Sequence, residues 1–443
     1  MNTPLTDAVS AYLAQNRARF HMPGHKGQLP LLGEAAKWDI TEVDGCDSLF
    51  EASGAIAQTE AAYALLYGTA ASLLSAGGAT LCIQAMLALA CPPGSELIAV
   101  RGAHASAVHT MALLDLAPTW VWPDIDPRTG LAGPVTAAQI GAALAAQPQA
   151  RVVYLTSPDY FGQLCDIAAI ADLCHKQGAV LLVDNAHGAH LRFCGDGSRH
   201  PIAAGADICC DSLHKTLPVL TGGALLHIGN PRYVAGAKKA MALFGSTSPS
   251  FLVLLSADQL LPSLAGQIPA QLAALAATVA DLRNIAAAHG FLLPADPVDP
   301  VRLSLGFAAK GYGQDNFSAA LRGGGFEPEY IDTAFCVLLP GICQPPEDFA
   351  RLAAWLRTLP ALAPPIRLAP VVPAKPTAAC SLRAAVFSAC ESVAAAQADG
   401  RIAAAQIAPC PPGIPLIMPG ERIDSAVVAS LKKHGICRVD VVK

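Results

Sequence analysis

Between about residue 60 and residue 230, short apolar runs alternate with stretches whose apolar residues recur at helical spacing, which is the pattern of α/β layering. Six runs read as buried strands: Leu97–Val100, Thr119–Trp122, Val152–Leu155, Val180–Val183, Ile208–Cys210 and Ala224–His227. Their length and their flanking glycines and prolines favour strand over buried helix. Helical stretches lie between them, for example Thr136–Ala146 and Ile167–Gln177. From Phe251 to about Gly290 a long Ala/Leu-rich helical pattern predicts a connector. Past Ala295-Asp-Pro-Val-Asp-Pro300 the composition changes. Strand-like Val301–Leu305 and Thr333–Leu339 alternate with helical patterns near Asp315–Arg322 and Pro346–Thr358, which reads as α+β. A proline-rich tract from Pro360 to Pro376 precedes a last piece ending in Cys437–Val442. The expected organisation is an N-terminal arm over residues 1–50, a large α/β domain with a mostly parallel sheet over 51–295, and a smaller C-terminal α+β region over 296–443.

Composition narrows this picture. With 53% hydrophobic and 14% charged residues the chain is apolar, so it either buries surface between subunits or meets a membrane. Ala61 to Ser95 carries no charged residue, yet Gly77-Gly78 splits it and Cys91-Pro-Pro-Gly94 ends it, which predicts two short core helices rather than a span. A net charge of −5 gives no basic field for nucleic acid. Asp7, Arg17 and Arg19 break any apolar leader pattern, and the fourteen cysteines include no CxxC pair. Reduced buried thiols in the cytoplasm are the expectation.

Polar residues gather just past the strand ends: His104, Thr156-Ser-Pro158, Asp184 and Ser212-Leu-His-Lys215. In open α/β sheets ligands bind outside the carboxyl ends of strands. Lys215, between an apolar strand and Leu217-Pro-Val-Leu220, is expected to be partly buried, and a lysine amine there can form a Schiff base with an aldehyde cofactor such as pyridoxal phosphate (PLP). Asp184 can keep a cofactor's pyridine nitrogen protonated, and the small Ala186 after it lets a flat ring approach. Ser75-Ala-Gly-Gly-Ala-Thr80, opening a helix, offers backbone N–H groups and a hydroxyl to a phosphate. His214 is a polar neighbour able to touch that phosphate, and His104 is placed to stack on an aromatic ring. Phe20-His-Met-Pro-Gly-His-Lys-Gly27 reads as a rigid loop. His21, His25, His187 and His190 could serve as metal ligands, but a third partner at metal-site spacing is missing, and no metal is expected.

Taken in order, these segments resemble the ornithine/lysine/arginine decarboxylase family of PLP enzymes, which share the aspartate aminotransferase fold. The resemblance runs through Phe20–Gly27, Gly77–Thr80, His104-Ala-Ser106, Thr156-Ser-Pro-Asp-Tyr160, Asp184–His190, Ser212-Leu-His-Lys215, Ser246-Thr-Ser-Pro-Ser250, Pro411-Pro-Gly-Ile-Pro415 and Pro419-Gly-Glu421. It implies that Lys215, Asp184 and His104 are catalytic. It implies that Ala79, Thr80, His104, Asp184, Ala186, His187, Ser212, His214 and Lys215 hold the cofactor, with Ser246–Ser250 serving the partner subunit's phosphate. A homodimer with the site at its interface is implied too, and the wing-dependent decamer of the long enzymes is not expected. The implied reaction is decarboxylation of a basic amino acid (arginine, then lysine, then ornithine) for polyamine formation, with Glu329 or Asp332 as candidates to hold the basic tail. Another PLP reaction on the same fold, a transaminase or an aldolase-like lyase, is the alternative, followed by a catalytically silent interaction protein. Asn185, where the family often has glutamate, Ala105, where it often has lysine, Gly222-Gly223 and Cys410 depart from the pattern and bear on the substrate.

Overall fold

The computed structural model describes residues 1–362, 375–408 and 414–443. The chain runs from helix α1 (Pro4–Ala14) through α2 (Ala55–Tyr67), β1 (Ala71–Ser75), α3 (Gly78–Ala90), β2 (Glu96–Val100), α4 (Ala105–Leu113) and β3 (Ala117–Val121). It continues with α5 (Ala137–Ala146), β4 (Val152–Thr156), α6 (Ile167–Lys176), β5 (Val180–Asp184), β6 (Ile208–Ser212), the single turn α7 (Leu213–Thr216) and β7 (Ala224–Ile228). The order across the seven-stranded sheet is β1-β7-β6-β5-β4-β2-β3. The fold is α/β with a mostly parallel sheet, as the alternation of patterns predicts. Two compact units divide the chain: Met1–Ala90 with Val180–Ala274, and Cys91–Ala179 with Leu275–Lys443.

In the first unit β5 and β6 are parallel, while β7 runs antiparallel to both β6 and β1. Every residue of β5, β6 and β7 is buried. That explains why these strands read as unbroken apolar runs rather than alternating ones. Strand β1 went unforeseen. It lies inside the charge-free stretch expected to make two helices, where its serines Ser72 and Ser75 hide a strand pattern. Among the described residues no single helix is long and apolar enough to cross a membrane; only a pair bent by 81°, Phe251–Ala265 with Ile268–Ala288, passes by length and composition.

The long helical connector expected from Phe251 is three helices, Phe251–Asp258, Leu261–Ala265 and Ile268–Ala288. Pro262 starts the second, and Gly266 leaves helical geometry at its end. The first of them carries a buried acid, Asp258, that reaches α1. Its carboxylate accepts from Leu5 N at 3.3 Å, Thr6 N at 2.8 Å, Thr6 Oγ1 at 2.7 Å and Thr59 Oγ1 at 2.6 Å. Thr3, at the N-cap of α1, makes no side-chain cap bond, so a residue about 250 positions away caps that helix instead. Asp258→Ala is expected to destabilise the protein by about 2–3 kcal/mol and to raise hydrogen exchange in α1 first, read by urea denaturation and exchange mass spectrometry.

In the second unit β2 pairs in parallel with β3 and β4. A three-stranded antiparallel sheet, β8 (Leu303–Gly306), β10 (Phe335–Leu338) and β9 (Tyr330–Ile331), and a two-stranded one, β11 (Cys390–Ala394) with β12 (Arg438–Val442), supply the α+β part. Arg101, just past β2, is fully buried. Its two terminal nitrogens donate to the two oxygens of Glu421 at 2.5 and 2.7 Å, and Nε donates to the Pro415 carbonyl at 3.0 Å. The guanidinium also lies over the Trp122 ring at 4.3 Å. The Pro419-Gly-Glu421 segment thus closes onto the strand that leads to His104. Most of the proline-rich tract, and Cys410 to Gly413, lie outside the described residues.

Candidate active site

In the first unit β5 ends in Asp184, in register with Cys210 on β6, and β6 runs directly into the turn that carries Lys215. Parallel pairing places the carboxyl ends of both strands side by side, so a carboxylate and an amine from distant stretches meet at one rim. Asp184 is almost fully buried; its Oδ1 accepts from Ala186 N at 3.1 Å and lies 3.6 Å from the Cys210 thiol. Lys215 is half-buried, with Nζ 3.1 Å from His187 Nε2. Ala186 is buried and small, as a flat ligand's floor requires.

The start of α3, a helix packed against β5 and β6, carries the second set of candidate groups. Gly78 has φ +67 and donates its N–H to Gly222 O at 2.8 Å, while Gly77 N donates to Ser75 Oγ at 3.1 Å. A cavity of about 190 Å³ opens there, lined among others by Gly77, Thr80, Gln84, Ser246, Ser248 and Ser250. The structure therefore gathers Thr80 and the hydroxyls of Ser246, Ser248 and Ser250 at one cavity of one chain. Ala79 is buried beside it on the helix. Ser212 is the buried N-cap of α7 with no side-chain cap bond, and His214 Nδ1 donates to Gly223 O at 3.1 Å.

In the second unit His104 is an exposed N-cap of α4. Its Nδ1 accepts from Ser106 N at 3.2 Å, which puts the ring proton on Nε2. Glu329 is exposed and accepts from the Tyr160 hydroxyl at 3.0 Å. Asp332 is buried and accepts from Ala334 N and Phe335 N, both at 2.6 Å.

Sequence reasoning missed the ring of buried polar groups behind this rim. Asp211, His200 and His227 are fully buried, with His200 Nε2 at 3.1 Å and His227 Nε2 at 3.2 Å from Asp211 Oδ2. The one signal available was Asp211 itself, a charged residue ending the apolar run Ile208–Cys210. Burial alone would raise the Asp211 carboxyl, but the two imidazoles outweigh it and hold it well below the usual carboxylate value. Burial pushes His227 down from 6.5 despite Asp211, so its neutral ring donates from Nε2 and accepts the Ser72 hydroxyl at Nδ1, 2.8 Å away. His200, Cys209 and Asp211 are also spaced as metal ligands, and burial drives the Cys209 thiol far above its ordinary value.

These shifts set an acid response. A histidine whose folded pKa is depressed binds fewer protons when native, so its share of stability is present above about pH 6.5 and falls as pH drops below it. The depressed Asp211 behaves likewise at lower pH: its share is present above about 3.9 and is lost only in stronger acid. His227→Gln is expected to flatten the decline of stability below pH 6.5, measured as urea midpoints across pH.

The site fits an aldehyde cofactor bearing a pyridine ring and a phosphate. It offers an amine beside an imidazole, a buried carboxylate at a strand end, a small residue between them, and hydroxyls with backbone N–H groups at the start of a helix.

Comparison with known proteins agrees. Residues 3–279 match the family model described as Orn/Lys/Arg decarboxylase, major domain, and residues 367–434 match the C-terminal domain of the same family. The uncharacterized protein YaaO of Bacillus subtilis is 29% identical, over 98% of this chain and 94% of its own. The arginine decarboxylase of the same organism is 28% identical, over 98% of this chain and 93% of its own. The solved Escherichia coli constitutive lysine decarboxylase superposes with a TM-score of 0.81 at 19% identity, covering 100% of this chain and 82% of that one.

Proposed function

Since the chain belongs to the Orn/Lys/Arg decarboxylase family, we propose that it is a PLP-dependent decarboxylase that releases CO₂ from a basic L-amino acid. Arginine is the favoured substrate, followed by lysine and ornithine, and the amine product feeds polyamine formation. The single observation that carries this reading is the meeting of Lys215 Nζ with His187 Nε2 at 3.1 Å, on the rim where Asp184 ends β5. The arginine preference draws support from the relative named arginine decarboxylase, which this chain matches over nearly its full length.

When bound, the cofactor supplies a conjugated ring that accepts the electron pair of the breaking Cα–carboxylate bond. Lys215 holds it covalently through Nζ, and His187 stands ready to take up the ammonium proton so that the amine is free to react. Asp184 keeps a proton on the ring nitrogen by pairing its carboxylate with it. Ala186 would pack against the ring, and His104 keeps the ring-stacking role that the family resemblance implies. Thr80, the backbone around Ala79, Ser212 and His214 hold the phosphate. Lys215 and His187 are the groups that would return a proton to Cα.

The active form is proposed to be a cytoplasmic homodimer. Phe20, Met22 and Leu31 of the N-terminal arm are 96%, 60% and 88% exposed, an apolar surface that a partner subunit would cover. The function is tested by following CO₂ and amine from arginine, lysine and ornithine with added PLP. Turnover of one of them supports the reading and names the substrate; a keto acid instead of CO₂, or no turnover by a PLP-loaded protein, overturns it.

A further inference from the structure

Asn185 follows Asp184 directly, and its Nδ2 donates to Asp211 Oδ1 at 2.6 Å. Asp211 in turn stands four positions before Lys215, on the strand that ends in the lysine turn. One short hydrogen bond therefore joins the turn bearing Asp184, Ala186 and His187 to the strand bearing Lys215. The backbone repeats the link, with Asn185 N donating to Cys210 O at 3.0 Å.

The turn is also anchored at its far end. Tyr67 donates its hydroxyl to Ala189 O at 3.1 Å, and its ring lies 4.2 Å from that of His227, which itself donates to Asp211. Space around the amide is tight. A Cβ on Gly188 would stand 2.1 Å from Asn185 Oδ1 and 2.8 Å from Leu191 Cδ1, so an alanine there would push the Asn185 amide out of place. Asn185 Oδ1 is buried without a hydrogen-bond partner. Burying it costs free energy that an apolar residue would avoid, so the bond to Asp211 is what this side chain contributes.

We infer that Asn185 and Asp211 form a positioning pair that sets the 184–187 turn against the Lys215 strand, and so aligns Asp184 and the His187–Lys215 contact for the cofactor. This rests on the PLP reading. The pair is assigned no contact with the cofactor and acts through its neighbours. The bond needs one amide and one carboxylate, in either order. Asn185→Asp alone sets two carboxylates face to face in a dry site, which is strongly unfavourable. Combining it with Asp211→Asn restores an amide donor to a carboxylate.

The test titrates PLP into wild type, Asn185→Asp, Gly188→Ala and the Asn185→Asp/Asp211→Asn swap, following the visible band of the bound cofactor and its dissociation constant. Thermal unfolding of the cofactor-free proteins is run alongside. Asn185→Asp and Gly188→Ala are expected to bind PLP at least about tenfold more weakly, with a shifted band, while the swap returns to within about threefold of wild type. A purely structural pair would lower the unfolding temperature and leave affinity and band unchanged, which overturns the inference; so does a swap no better than Asn185→Asp. Should Asn185→Asp fail to fold, Gly188→Ala and the swap carry the same decision. Wild type that takes up no PLP would overturn the cofactor reading itself, whereas PLP-competent wild type with unaffected variants overturns only the positioning pair.

Discussion

Lys215→Ala is expected to lose at least about 10³-fold in turnover, and to lose the visible band that a lysine-held cofactor gives. The magnitude follows from what the amine does on this reading: it holds the cofactor covalently, releases it to the substrate amine, and stands ready to return the proton to Cα. His187, 3.1 Å away, does not replace it, because an imidazole forms no stable bond of that kind. His187→Gln leaves the amine in place and removes only its proton partner, so a smaller loss, roughly 10²-fold, is expected together with a changed pH profile. Stopped-flow spectra with CO₂ release separate the two. An active Lys215→Ala protein would sink the assignment of this lysine.

Glu421→Ala is expected to cost about 3–5 kcal/mol of stability, because it strands the Arg101 guanidinium where no water reaches it. Arg101 spends both terminal nitrogens on Glu421, and Glu421 Oε2 also accepts the Met418 amide at 2.8 Å, so deleting the carboxylate leaves donors on both sides unmet. Glu421→Gln keeps one acceptor and the side-chain volume and should fall between wild type and alanine. Trp122, whose ring faces the guanidinium, reports the event directly: its fluorescence should change with the urea transition and shift in the native baseline of the alanine variant. Equal midpoints for all three proteins would show that the pair contributes nothing.

The residues of the candidate site were legible because their chemistry announces itself at strand ends. Lys215 and Asp184 lie where apolar runs stop, and the structure sets those run ends on adjacent parallel strands. The six strands foreseen between Leu97 and His227 all form, usually extended by a residue or two. Two kinds of feature escaped. Strand β1 was hidden because a short strand and a buried helix share the same apolar signature. The Asp211–His200–His227 group was hidden because its members come from three separate stretches and only the pairing of β6 with β7 brings two of them together. Asn185 stood out in the sequence as a departure at a site position, but its partner, Asp211, could be found only in three dimensions. The hydroxyls of Ser246, Ser248 and Ser250, expected to serve a partner's phosphate, share a cavity with Thr80 of their own chain.

Strand β1 stands at one edge of the sheet and pairs with β7, from Ala71 with Ile228 to Ser75 with Ala224. About 150 residues of chain separate the two, which at ribosomal speeds of about 5–20 residues per second amounts to roughly 8 to 30 s. Throughout that interval Leu73 and Leu74 have left the ribosome without the strand that will cover them. The newborn chain therefore passes through a window in which an apolar edge is open to other chains. Its yield in a cell should depend on how quickly synthesis reaches β7 and on what shields β1 meanwhile.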